Sequence, residues 1–266
     1  MQNAWILDVD GTITNPEEKR VTNPEMFTEI IKRLEKGEAV ALVTGRALDW
    51  LVKIVVDPLL SFTQDKKIFN NFYVSAEFGG SYMIFENGER KRQINHSNSV
   101  PQSVIKKTKE ALKSYKTSHF WDADKETMVS LEMKNGMKVE DFKHYQKQLA
   151  DRLRKTLDDE GASNQFEVHT DRIATNIKDK RATKAFSACE VRKWLLNKNL
   201  KPQKFFAFGD GTSDLDIADE LYMLGENVEF VFVGNPQQIE NFKKPYKIIF
   251  TNGHCDKGTL EYLRTH

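Results

Sequence analysis

Short, almost wholly apolar runs recur along the chain, each too brief for a surface helix and each closed by small or polar residues. Ala4-Trp5-Ile6-Leu7, Ala39-Val40-Ala41-Leu42-Val43, Phe72-Tyr73-Val74-Ser75-Ala76, Phe205-Phe206-Ala207-Phe208 and Glu229-Phe230-Val231-Phe232-Val233 read as buried strands. Between them the period lengthens. Phe27, Ile30, Ile31 and Leu34 recur at helical spacing after Pro24 and stop at Gly37; further helices run through Leu51 and Val55, over residues 184–196 and over 217–224. Residues 247–251 read as one last strand before a short C-terminal helix. Strand and helix alternating in this way predict an α/β fold, a doubly wound, Rossmann-like parallel sheet. Such sheets bind ligands at the carboxyl ends of their strands, where Asp8 and Thr44 would lie.

From residue 81 the pattern changes. Residues 82–85 and 90–94 flank Asn87-Gly88 as a hairpin, a helix covers 103–115, a strand covers 127–133 ahead of Asn135-Gly136, and a charged helix covers 140–157. Residues 166–168 and 173–177 look like closing strands. An antiparallel sheet carrying two helices is an α+β cap domain over residues 81–182, inserted into a core made of 1–80 and 183–266, and it predicts a lid.

Composition narrows the partners. Hydrophobic residues make up 39% and charged residues 30%, and 40 basic against 39 acidic side chains leave a formal net charge of +1. A nucleic-acid partner calls for a strongly basic balance or face, and Lys and Arg are here interspersed with Glu and Asp, so a small-molecule substrate is expected and nucleic acid is not. Cys189 and Cys255 lack metal or redox spacing and read as free thiols. No apolar run reaches membrane-spanning length and no leader-like segment precedes the first strand, so the expectation is a cytoplasmic protein without a membrane partner. Nothing in the pattern sets an oligomeric state.

The candidate chemistry begins where the first strand ends, at Asp8-Val9-Asp10-Gly11-Thr12. Two carboxylates at i and i+2 repel each other at neutral pH, so a cation or a proton must hold them together, and a divalent metal is the economical choice. A surface Asp-rich turn would carry the same residues. Further elements join them: Thr44-Gly45-Arg46 after the second strand, Lys184 opening a helix, and Gly209-Asp210 with Asp214 after a later strand.

Taken together, this order resembles the four motifs of the haloacid dehalogenase superfamily, from the first strand to the C-terminus. A cap inserted after the third core strand resembles the subgroup of trehalose-6-phosphate, sucrose-phosphate and mannosyl-3-phosphoglycerate phosphatases and the Cof-type sugar phosphatases. Ala76-Glu77-Phe78-Gly79-Gly80 is similar to the Glu-His-Gly segment of the trehalose-6-phosphate phosphatases, with Phe78 in place of the His. The resemblance implies a Mg2+-dependent phosphatase acting on a sugar phosphate or similar small phosphorylated metabolite. Asp8 would be the nucleophile that forms an aspartyl phosphate, and Asp10 the acid and base. Mg2+ would sit on Asp8, the backbone carbonyl of Asp10, Asp210 and Asp214, the last orienting metal waters or the lysine. Thr44 would offer a hydroxyl and a loop N–H to the phosphoryl group, and Lys184 would neutralise charge, with Lys180 as the alternate. Thr12, Gly45, Arg46 and Asn235 would complete the substrate site, although turn roles suit Thr44 and Asn235 as well. In the cap, the Asp122–Glu126 loop with Lys125 resembles a sugar-gripping loop, although a solvated surface loop suits it better, and Phe120 and Trp121 could stack on a sugar face but are more often core in a strand.

A phosphomutase sharing the aspartyl phosphate, a phospho-accepting signalling domain and a catalytically dead binding protein are the competing readings. Release of inorganic phosphate separates the first from a phosphatase. Receiver-type domains typically carry their nucleophile after a later strand and lack so large an insertion.

Overall fold

All five residues of β1 (Ala4–Asp8) are buried in the computed structural model, which describes residues 3–239 and 241–266. The chain continues through α1 (Glu25–Glu35), β2 (Ala39–Val43), the short α2 (Leu48–Leu51), which runs through a π-helical turn into α3 (Asp57–Ser61), then β3 (Phe72–Ala76), β4 (Ser81–Glu86) and β5 (Glu89–Ile94). Next come α4 (Gln102–Leu112), β6 (His119–Trp121), β7 (Val129–Met133), α5 (Val139–Asp159), β8 (Phe166–Thr170) and β9 (Ala174–Asp179). The last stretch holds α6 (Lys184–Asn197), β10 (Phe205–Gly209), α7 (Leu215–Met223), β11 (Val228–Phe232), β12 (Lys247–Phe250) and α8 (Cys255–Thr265).

The larger sheet has the order β12-β11-β10-β1-β2-β3-β4-β5, with parallel pairing from β12 to β3 and β4 antiparallel to β3. Leu7 lies opposite both Phe208 and Leu42, so β1 is hydrogen-bonded on both sides. Side chains alternate across it. Trp5, Leu7, Val40, Leu42, Val74, Phe206 and Phe208 pack on one face with residues of α1 and α8, while Ala4, Ile6, Ala41, Val43 and Ala207 pack on the other with α6 and α7. Burial on both faces is why these strands read as unbroken apolar runs. Parallel pairing also gathers their carboxyl ends along one edge, which brings Asp8, Thr44 and Asp210 to neighbouring strand ends.

One boundary differs from the sequence expectation. The hairpin expected to open the inserted module instead extends the core sheet: Met83 lies opposite Val74, Tyr82 opposite Ser75, and Phe85 joins Phe69 and Phe72 at 5.5 and 5.9 Å between ring centres. The chain accordingly divides into one compact unit of residues up to 93 with 183–266 and a second of 94–182, not at residue 81. An alternating strand pattern is the same in either sheet; the strand it pairs with is a tertiary choice.

The second unit is an antiparallel sheet, β6-β7-β9-β8, with α4 and α5. Val104, Leu131, Leu149, Leu153 and Ile177 form its core. Phe120 is exposed rather than in that core, and Trp121 is half-buried under the Lys109 ammonium. Among the described residues no helix is long and apolar enough to cross a membrane.

Candidate active site

Lys184 is the first residue of α6, whose N-cap Thr183 accepts a hydrogen bond from the Phe186 N–H at 3.1 Å. That start aims a buried ammonium at the end of β1. Lys184 Nζ donates to Asp8 Oδ1, to the Val43 carbonyl at 3.2 Å, and lies 3.1 Å from Asp214 Oδ1. The other oxygen of Asp214 accepts the N–H groups of Asp210 and Gly211 at 3.2 and 3.0 Å, so Asp214 ties the β10 loop to the lysine. Thr12 Oγ1 donates to Asp8 Oδ2 at 3.3 Å, which places Thr12 on the nucleophile candidate. Lys180 is elsewhere, donating to the Ser163 carbonyl in the second unit.

Asp8, Asp210 and Asp214 each bring a carboxylate oxygen within 4.8 Å of the others. Burial pushes the Asp8 carboxyl up to about 8, with Lys184 opposing and Asp214 adding to the rise. Burial, then Asp214, pushes Asp210 up to about 6. For Lys184 burial alone would lower the ammonium, but the Asp8 and Asp214 carboxylates outweigh it and hold its pKa above the ordinary value. Three carboxylates thus share one ammonium, and the cluster is short of positive charge. Hard oxygen donors without His or Cys fit a magnesium-type ion and do not fit a zinc site.

Asp10 faces a different set of partners. Its carboxylate accepts from Arg46 Nη2 at 2.9 Å and Nε at 3.1 Å, and from Thr44 Oγ1 at 3.3 Å, while the Arg46 guanidinium lies 4.9 Å from the Trp50 ring centre. The Asp10 side chain therefore stands outside the group of three acids. Arg46, expected on the substrate, holds the acid/base candidate in this structure. The N–H of Thr44 donates to the Ser75 carbonyl at 3.0 Å, so the backbone donor expected of it is spent inside the sheet. Gly45 packs under Phe78, where a Cβ would sit 2.5 Å from the ring. Asn235 is exposed, and its side-chain oxygen caps the following turn by accepting the Gln237 N–H at 3.1 Å. It plays the turn role.

Several residues within the motif segments act in ways the motifs did not show. Gly11 has φ +71°, and a Cβ there would overlap the Asp210 carboxylate; one on Gly234 would sit 2.8 Å from the Asp210 carbonyl carbon. These glycines let two loops close on Asp210. Glu77 and Phe78 both adopt left-handed backbone conformations, at φ +50° and +55°, and donate their N–H groups to the Arg46 and Thr44 carbonyls at 3.0 Å each. Such conformations cost about 1–3 kcal/mol per residue and persist where surrounding bonds over-determine them. A glycine just past an apolar strand was the available signal for the first pair; the second lies in the Ala76-Glu77-Phe78-Gly79-Gly80 segment, whose residues did not reveal its left-handed backbone.

The family model described as haloacid dehalogenase-like hydrolase matches residues 5–194. No curated protein matches the sequence. Among solved structures, a haloacid dehalogenase-like hydrolase from Bacteroides thetaiotaomicron aligns with TM-score 0.67 at 14% identity, covering 100% of this chain and 99% of that one. The C-terminal domain of the C. albicans trehalose-6-phosphate phosphatase gives 0.67 at 17% identity, covering 99% and 92%. Trehalose-6-phosphate phosphatase from Aspergillus fumigatus gives 0.59 at 16% identity, covering 99% and 92%. At these identities the likeness is one of fold.

Proposed function

The chain belongs to the haloacid dehalogenase-like hydrolases and is an enzyme of that family, and from this we propose that it hydrolyses phosphomonoesters of a sugar phosphate or similar small metabolite through an aspartyl phosphate on Asp8. The single observation that carries the reading is the buried Lys184 ammonium shared by Asp8 and Asp214 beside Asp210. The phosphatases among the structural relatives favour a sugar phosphate as the substrate class.

In this reading an Asp8 carboxylate oxygen attacks phosphorus as the bond to the ester oxygen breaks. Protonated Asp10 gives its proton to the leaving alkoxide, which departs as the alcohol. Water then attacks the aspartyl phosphate, Asp10 takes its proton back, and inorganic phosphate leaves with the Asp8 carboxylate restored. Lys184 stabilises charge on Asp8 and on the transferring group, while Thr44 and Arg46 hold the Asp10 carboxyl group in place between the two half-reactions. Asp8, Asp210 and Asp214, with the Asp10 backbone carbonyl, would hold Mg2+, which would supply the positive charge that lets an anionic nucleophile meet an anionic phosphoryl group. Residues 94–182 are assigned the choice of leaving group.

A panel of sugar phosphates and a generic aryl phosphate, assayed for phosphate release with Mg2+, tests the proposal. Turnover that is lost on Asp8→Asn, with the fold retained by circular dichroism, is the expected result. A wild type inactive on the whole panel, or an active Asp8→Asn variant, overturns it.

A further inference from the structure

Consecutive residues after β3 hold left-handed backbones: Glu77 at φ +50°, Phe78 at +55° and Gly79 at +89°. Glycine adopts that region freely, but a glutamate or a phenylalanine there is strained and persists only where its surroundings over-determine it. Here they do. The Glu77 carbonyl accepts the Gly80 N–H at 3.1 Å, and its buried carboxylate accepts Ser81 Oγ at 3.3 Å. Gly79 lies against α6, where a Cβ would sit 2.7 Å from the Phe186 ring.

The strain has one visible product. Successive N–H groups of an extended strand point to opposite sides, whereas those of Glu77 and Phe78 both reach one loop, at the Arg46 and Thr44 carbonyls. The Phe78 ring covers the residue between those carbonyls, 2.5 Å from where a Gly45 Cβ would stand. The turn therefore grips Thr44, Gly45 and Arg46 in order, and this loop holds Asp10. Thr44 Oγ1 donates to the Asp10 carboxylate at 3.3 Å and accepts the Arg46 N–H at 3.1 Å, while Arg46 Nη2 donates to Asp10 at 2.9 Å. Gly45 brings glycine's conformational freedom between the two holders, and the ring restricts it.

We propose that Phe78 is a positioning residue for proton transfer by Asp10, acting through the ring it lays on Gly45. The inference rests on the phosphatase reading and extends it to the segment between β3 and β4. Without the ring the Thr44–Arg46 loop shifts and Asp10 loses its aim at the leaving oxygen. Asp8, held by Lys184 and Thr12, keeps its place.

The test compares kcat/KM, which reports the steps up to the aspartyl phosphate, on three esters. Phenyl phosphate and the best sugar phosphate of the panel release basic oxygens that need a proton; 4-nitrophenyl phosphate releases a stable anion that does not. The two aryl esters have nearly the same shape, so a lost contact to the substrate body weighs on both alike. Phe78→Gly keeps the left-handed turn at no steric cost, and Phe78→Asn, which tolerates the same φ, is the second variant. Each should lose about tenfold on phenyl phosphate and on the sugar phosphate, and less than about twofold on 4-nitrophenyl phosphate. Equal losses on the two aryl esters, as a merely structural role gives, a loss confined to the sugar ester, as a substrate contact gives, or no loss at all overturns the proposal alone. A wild type that hydrolyses none of the three overturns the phosphatase reading and this inference with it.

Discussion

Replacing Gly11 by Ala should separate the geometry of the acidic cluster from the stability of the fold. The new Cβ would sit 2.8 Å from Asp210 Cγ and closer still to one of its oxygens. Carbon atoms pack best at about 3.5–4.0 Å, so the carboxylate must retreat by about 1 Å or rotate away. The φ of +71° adds strain of about 1–2 kcal/mol for a residue with a side chain. A displacement of that size at a reacting group costs about a hundredfold in rate. Gly225 is the control: it has φ +82° with nothing within 4 Å of a built Cβ, so Gly225→Ala carries the strain without the collision. Both variants should lose about 1–2 kcal/mol in urea unfolding. Only Gly11→Ala should lose about a hundredfold in kcat/KM and show a raised Mg2+ requirement. Equal kcat/KM for the two variants would refute the placement of Asp210 beside Gly11 as part of the working site.

Removing the ammonium with Lys184→Met leaves buried carboxylates without their cation, and the metal-free protein should lose about 3–5 kcal/mol in urea unfolding, partly regained with Mg2+; a loss below about 1 kcal/mol would contradict the buried pairing. Arg46→Ala should change stability by less than about 1 kcal/mol, since both side chains of the pair are partly exposed, yet lower kcat about tenfold with little change in KM. An unchanged kcat would show that Arg46 does not position Asp10. The Asp8 carboxyl, raised by burial to about 8 from an ordinary 3.8, keeps its proton in the folded state where the unfolded chain has released it. Stability from this group is therefore full below pH 3.8 and is lost as pH rises towards 8. Above pH 6.5 the opposing contribution of His119, lowered by burial to about 4, has finished. In EDTA the urea midpoint should fall between about pH 6.5 and 8.5, and Asp8→Asn should flatten that slope; an identical slope in the variant would remove Asp8 as its source.

Much of the core was legible because it is written locally. Strands buried on both faces must be apolar throughout, and helices covering a sheet must repeat at helical spacing, so β1, β2, β3, β10 and β11 announced themselves with the helices between them. The chemistry was legible for a related reason: parallel strands bring their carboxyl ends to one edge, which made Asp8, Thr44 and Asp210 expected neighbours. Pairing was not local. β4 alternates as any half-buried strand does and β5 is polar and exposed, so only the fit of Met83 and Phe85 against the core decided which sheet received the hairpin. Side-chain direction was not local either. Arg46 reads as a substrate cation in a motif, but the three-dimensional approach of the β1 and β2 loops turns it onto Asp10. Likewise Gly11 and Gly234 matter through what they let approach, the Asp210 side chain and backbone, from far along the chain. Hydrophobic period and strand-end composition depend on a residue and its near neighbours, so the sequence determined them. Loop closure, partner choice and the direction of each charged side chain depend on atoms brought together from separate parts of the chain, and only packing decided those.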